Sequence, residues 1–196
     1  MNNGKKISSK YLDPIDNKLY DLSFILGKYF YKLHFTPNMI TTISLVFALV
    51  GIYNIHITNY KTGAILFFIN YFFDCMDGSY ARTYNMTSKF GDIYDHISDW
   101  IKVSLLIITF ITLDIKFKIK IIIGIISVIL LVTTSIQIGL EEKIKNSDSG
   151  ILTFFKNICI NYDTQYIHYF KYLGSGVTNL IVCLIIFNLK NINNLI

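Results

Sequence analysis

Cysteine, proline, arginine and charge are all scarce in this chain, and each scarcity narrows what it can be. The three cysteines, Cys75, Cys159 and Cys183, are odd in number, far apart and in no metal-ligand spacing. They imply neither a disulfide framework nor a zinc site and read as small apolar fillers. Proline occurs twice, and Pro37 stands just before an apolar run, where it starts a helix without losing a hydrogen bond. Charged residues make up 16% of the 196 residues against 53% hydrophobic, with a mean hydropathy of +0.46. That balance is too apolar for an ordinary soluble domain and is expected in a bilayer. No glycine-rich nucleotide loop, Ser-His-Asp arrangement or paired-cysteine motif is present. Residues 1–36 also lack the short apolar core and small-residue cleavage site of a secretory signal, so the first spanning helix is expected to direct insertion.

The apolar runs predict an all-α, polytopic helical bundle. Residues 10–34 interleave Tyr11, Leu12, Leu19, Tyr20, Leu22, Phe24, Ile25 and Leu26 with Lys18, Lys28 and Lys32, the pattern of an interfacial amphipathic helix, with Pro14 as a break. Spans are expected at Met39 to Ile57, Gly63 to Tyr84, Phe90 to Leu113 and Ile121 to Leu140, each close to the roughly 20 residues a crossing needs, and at Gly176 to Leu189 with its flanks. The run from Glu141 to Ser149 belongs outside the membrane. Residues 151–172, with Lys156, Asp163, His168 and Lys171, read equally as interfacial segment, polar-lined span or loop, so the expected count is five transmembrane helices or six. The excess of 18 basic over 13 acidic residues lies in short stretches between apolar runs, which suits anionic lipid headgroups better than nucleic acid. Lys5, Lys6, Lys10, Lys18, Lys28 and Lys32 precede the first span and place the N-terminus in the cytosol; Lys116, Lys118 and Lys120 fall on the opposite side and weaken the bias. Residues 1–36 are thus taken as an interfacial segment and 37–196 as the transmembrane domain.

Between two apolar runs stands Asp74-x-x-Asp77-Gly78-x-x-Ala81-Arg82, then eight residues, then Gly91-x-x-x-Asp95-x-x-x-Asp99. Positions 74, 77, 78, 81 and 82 share one helical face, and 91, 95 and 99 share another. A short turn lets the two helices bring four carboxylates into one cleft, where they cannot all ionise without cations. Hard oxygen donors at a water-accessible site suit Mg²⁺, Mn²⁺ or Ca²⁺. Interior helical glycine costs about 0.5–1 kcal/mol relative to alanine, so Gly78, Gly91 and the small Ala81 are read as making space for packing or a ligand. Arg82 is the sole arginine beside 17 lysines, and its planar fork suits bidentate grip on phosphate. Together, metal-binding carboxylates, small residues and an arginine read as a diphosphate-binding site.

This pattern resembles the signature of the CDP-alcohol phosphatidyltransferases, integral membrane enzymes of phospholipid synthesis, and meets all eight of its defining positions. The apolar layout, including Thr36-Pro37-Asn38 before the first span, resembles the family as well. The resemblance implies that Asp74, Asp77, Asp95 and Asp99 hold two divalent metals, Mg²⁺ or Mn²⁺, and that Gly78, Ala81, Arg82 and Gly91 accommodate the CDP moiety, with Arg82 on phosphate. It implies that Asp99 is the general base for an acceptor hydroxyl, with CMP leaving. It also implies a CDP-linked donor, with CDP-diacylglycerol favoured, an alcohol acceptor and a homodimer. Within the class, the rival is a CDP-choline or CDP-ethanolamine:diacylglycerol phosphotransferase. Outside it, a cation or proton transporter would also place carboxylates on facing helices. The position of the acids near one membrane face, beside an arginine and three small residues, argues against transport.

Other polar residues near the motif have blander readings. Asp92 is a solvated acid in the first turn of a helix. His96 is read as a packed or interfacial histidine ahead of an acceptor contact. Lys102, one turn beyond Asp99, either touches an acidic acceptor or snorkels to the interface. Gly174-x-Gly176 marks a helix start or close packing.

Overall fold

The computed structural model describes residues 4–145, 153–159 and 162–195. These are all helix and connection, with no strand among them. In chain order the helices are α1 (Pro14–Lys32), α2 (Pro37–His56), α3 (Tyr60–Thr83), α4 (Lys89–Thr112), α5 (Phe117–Lys145), α6 (Thr153–Ile158), α7 (Ile167–Phe170), α8 (Ser175–Phe187) and α9 (Leu189–Leu195). The all-α expectation holds, and α2, α3, α4 and α8 fall within a few residues of the predicted spans. Three stretches are long and apolar enough to cross a membrane: α2, α5 and Thr164–Phe187, which runs through α7 into α8. At 24 residues each, α3 and α4 reach about 36 Å, but their carboxylates and lysines make them less apolar.

Local chemistry sets the helix boundaries. Pro14 and Pro37 both occupy first-turn positions, so neither breaks a helix; the first helix starts at Pro14. Asp13, Thr36 and Ser88 cap α1, α2 and α4 with side-chain oxygens. The first three helices end alike: His34, Thr58 and Asn85 take positive φ, and the next residue's amide reaches back to Phe30, Asn54 and Ala81 respectively. This left-handed closure satisfies the last carbonyls and reverses the chain within a few residues.

Packing follows from small residues. On α2 and α3, Gly51 and Gly63 face each other so closely that a Cβ on Gly63 would lie 2.6 Å from Ile55 and 2.9 Å from the Gly51 carbonyl. Absent side chains therefore let the two backbones touch. Further along the same contact, Ser44 Oγ donates to the Asn70 side chain at 3.0 Å, both groups being buried. α3 lies between α1, α2 and α8 and is the central helix. One end of the bundle is closed by Ile55, Tyr60, Leu113, Ile115, Ile119, Ile186 and Leu189. The opposite end gathers the start of α2, the end of α3 and the start of α4.

Two predictions need restating against the fold. The helix predicted to stop near Leu140 continues to Lys145, and Glu141 and Glu142 are buried against the protein; residues 146–149 of that polar run lie outside the described residues. Of 151–172, residues 151, 152, 160 and 161 likewise lie outside them. The remainder forms short pieces, α6, α7 and two 3-10 turns. Gly174 opens α8, as the glycine pair predicts, because a Cβ there would meet the Asp13 carboxylate at 2.7 Å.

Candidate metal and phosphate site

Because α3 is enclosed on most sides, its polar residues must find partners inside the protein. Asp77, 4% exposed, accepts the Thr41 hydroxyl of α2 at 2.6 Å. Asp74 meets Lys102 of α4, whose Nζ stands 2.5 Å from Asp74 Oδ1 and 2.7 Å from Asp99 Oδ1. Ligand atoms of Asp95, His96 and Asp99 lie within 4.8 Å of one another, and Asp77 lies within electrostatic reach of Asp74 and Asp95. The four motif aspartates therefore converge on one region. The tightest grouping is Asp95–His96–Asp99, with Asp74 joined to it through Lys102. Asp92, its side chain 64% exposed, lies at the edge of this grouping, 3.7 Å from His96 Nε2.

The small residues of the motif lie at close approaches. Gly78 lies under the Arg82 guanidinium: a Cβ there would come within 3.2 Å of Nη1. Arg82 Nε donates to the Gly4 carbonyl at 2.6 Å, which orients the fork and leaves Nη2 buried with no partner among the described residues. Ala81 is buried on the same face. Gly91 sits against α2, where a Cβ would approach Asn38 Oδ1 and the Ser88 capping oxygen at 3.1 Å. Asn38 and Thr41 lie on the first turns of α2, so the polar entry to that helix lines the site.

Asp95 Oδ1 is also buried without a partner among the described residues. An orphaned carboxylate oxygen beside an imidazole nitrogen and a second carboxylate is a donor set that suits a hard divalent cation. The residues therefore fit a metal.

A sequence model of CDP-alcohol phosphatidyltransferases matches residues 34–189. The chain belongs to that family. Among curated proteins, the archaetidylinositol phosphate synthase of Pyrococcus horikoshii is 30% identical over 94 residues, 48% of this chain and 46% of the relative. The alignment thus spans about half the length of the curated relative it matches. No solved structure matches. Within this family member, sequence reasoning passed over two contributors and left the direction of a third open. Thr41 and Gly4 are joined to the motif only by tertiary contacts, which no local pattern signals. Lys102 does carry a signal, its three-residue spacing from Asp99, but it points inward and is buried rather than snorkelling.

Proposed function

We propose that the chain transfers a substituted phosphate group from a CDP-linked donor, CDP-diacylglycerol foremost, to an alcohol hydroxyl, with CMP as co-product. The observation that carries this reading is a single pairing: a buried Asp95 oxygen among clustered carboxylates and a buried Arg82 nitrogen on the same motif, both without a partner among the described residues. The carboxylate oxygen suits a cation and the guanidinium nitrogen an anion, and a metal-bound diphosphate offers both.

Asp74, Asp77, Asp95 and Asp99 are the residues that would hold Mg²⁺ or Mn²⁺, with His96 close enough to join them. A bound divalent ion would polarise the diphosphate and offset charge on the leaving phosphate. Arg82 binds a phosphate oxygen, and Gly78 leaves room for its fork. Asp99, whose side chain is 41% exposed, accepts the proton of the acceptor hydroxyl. The acceptor oxygen then forms its bond to the phosphorus that stays in the product, and the bond to CMP breaks. In this reading the site faces the cytosol, the side assigned to the N-terminal lysines; residues 1–36 lie at the interface, residues 37–196 form the catalytic domain, and the enzyme is a homodimer. The relative named for archaetidylinositol phosphate synthesis adds inositol phosphate to the acceptors worth offering.

The test is CMP release by detergent-solubilised protein with Mg²⁺ or Mn²⁺. The donors are CDP-diacylglycerol with inositol phosphate, inositol, serine or glycerol 3-phosphate, and CDP-choline or CDP-ethanolamine with diacylglycerol. Metal-dependent CMP with one pair names the acceptor. Ion flux in vesicles without CMP from any pair would replace the transferase reading with transport.

A further inference from the structure

Four carboxylates near one point at the mouth of a bundle repel one another, and burial raises the cost of leaving them uncompensated. The structure supplies one positive charge in their midst. Lys102 is 5% exposed overall, and its ammonium lies between Asp74 of α3 and Asp99 of α4, at 2.5 and 2.7 Å. A snorkelling lysine would carry its ammonium outward to water. This one is turned inward and ties together the two helices that carry the motif. We propose that Lys102 is a built-in counter-cation, holding the cluster in shape before metal binds, and that the incoming metal displaces it from Asp74 and Asp99.

This inference rests on the reading of the cluster as a divalent-metal site. A +1 charge on a tethered side chain is a modest match for several carboxylates. A divalent ion gains more from the same oxygens, while the ammonium contributes repulsion as well as competition for the ligands. Lys102 therefore weakens metal affinity and in return preserves the metal-free site, a positioning role separate from substrate contact.

The experiment is Mn²⁺ binding to the purified protein without nucleotide, by electron paramagnetic resonance or calorimetry. It is paired with thermal unfolding in chelator and in saturating Mn²⁺. Lys102→Met is expected to bind Mn²⁺ about tenfold more tightly, the scale on which groups around a metal's ligands act. It should also unfold at lower temperature in chelator and recover with Mn²⁺, while Lys102→Arg, which keeps the charge, stays near wild type in both. Lys102→Gln reports the same affinity change where the methionine variant does not fold. Unchanged or weaker Mn²⁺ binding in the neutral variants, with wild type binding normally, overturns the inference alone. Absence of Mn²⁺ binding in wild type and every variant removes the metal reading, and this inference with it.

Discussion

The Thr41 hydroxyl donates to Asp77 Oδ2 at 2.6 Å across 36 residues of sequence. Through it, the first turns of α2 orient a motif aspartate of α3 that has almost no contact with solvent.

Removing that donor leaves the carboxylate unoriented. Thr41→Val is expected to weaken Mn²⁺ binding or CMP release by about tenfold or more, the usual effect of losing a group that orients a metal ligand. Thr41→Ser should retain most of both. Equal activity in the valine and serine variants would show that Asp77 needs no help from α2.

Arg82 and Gly78 should behave as one unit. Arg82→Lys loses the bidentate fork, and Gly78→Ala puts a methyl 3.2 Å from Nη1, so both are expected to raise the KM for the CDP-linked donor more than they lower kcat. Donor KM measured at saturating acceptor checks this, and an unchanged KM in Arg82→Lys would remove the phosphate-fork role.

Asp99→Asn should abolish CMP release, on the order of a 10²-fold loss or more, as expected when a general base is removed. Circular dichroism at wild-type helicity would separate this from unfolding. Activity that survives would mean that another group takes the acceptor proton.

Asp13 holds two helices at once. Its Oδ1 accepts from Ile15 and Asp16 of α1, and its Oδ2 accepts from Val177 of α8 at 3.0 Å. A single N-cap contributes about 0.5–2 kcal/mol, so Asp13→Ala, which uncaps both and leaves buried amides unpaired, should cost at least the upper part of that range. Denaturation in detergent gives the value. A loss below about 0.5 kcal/mol would mean that water replaces the carboxylate at both ends.

Asp16 gives a pH signature. Burial, and after it the charge of Asp13, pushes its carboxyl up to about 7, against the Tyr71 hydroxyl at 2.6 Å and the charge of Lys6. A folded-state value above the unfolded one, about 3.9, means that the stabilising contribution is complete below about pH 4 and is lost as pH rises through 7. Wild-type melting temperature should therefore fall between about pH 4 and 7, and Asp16→Asn should flatten that slope. Parallel profiles for the two proteins would assign the slope to the other buried carboxyls beside it, Asp13 and Glu141.

Much of the fold was legible because its signals are local. Pro37 starts α2, Gly174 starts α8, and the polar breaks after Ile57 and Tyr84 sit where the chain reverses. The end of α5 was less legible: Glu141 and Glu142 read as lying outside the membrane, and no local pattern signals that the protein buries them. The proximity of His96 to Asp95 and Asp99 was not legible either, because it depends on side-chain directions around one turn, which spacing alone leaves open.

The sequence by itself determined the helical class, the motif and its two faces, because helical periodicity acts within a few residues and the eight motif positions need no knowledge of neighbours. Only the tertiary structure decided what meets those faces. It brought Thr41 to Asp77, Gly4 to Arg82, Asp13 to α8 and Lys102 between Asp74 and Asp99. These pairings arise because buried polar groups must be satisfied wherever the packed helices bring a partner within reach, and glycine contacts such as Gly51–Gly63, rather than local propensity, set how the helices pack.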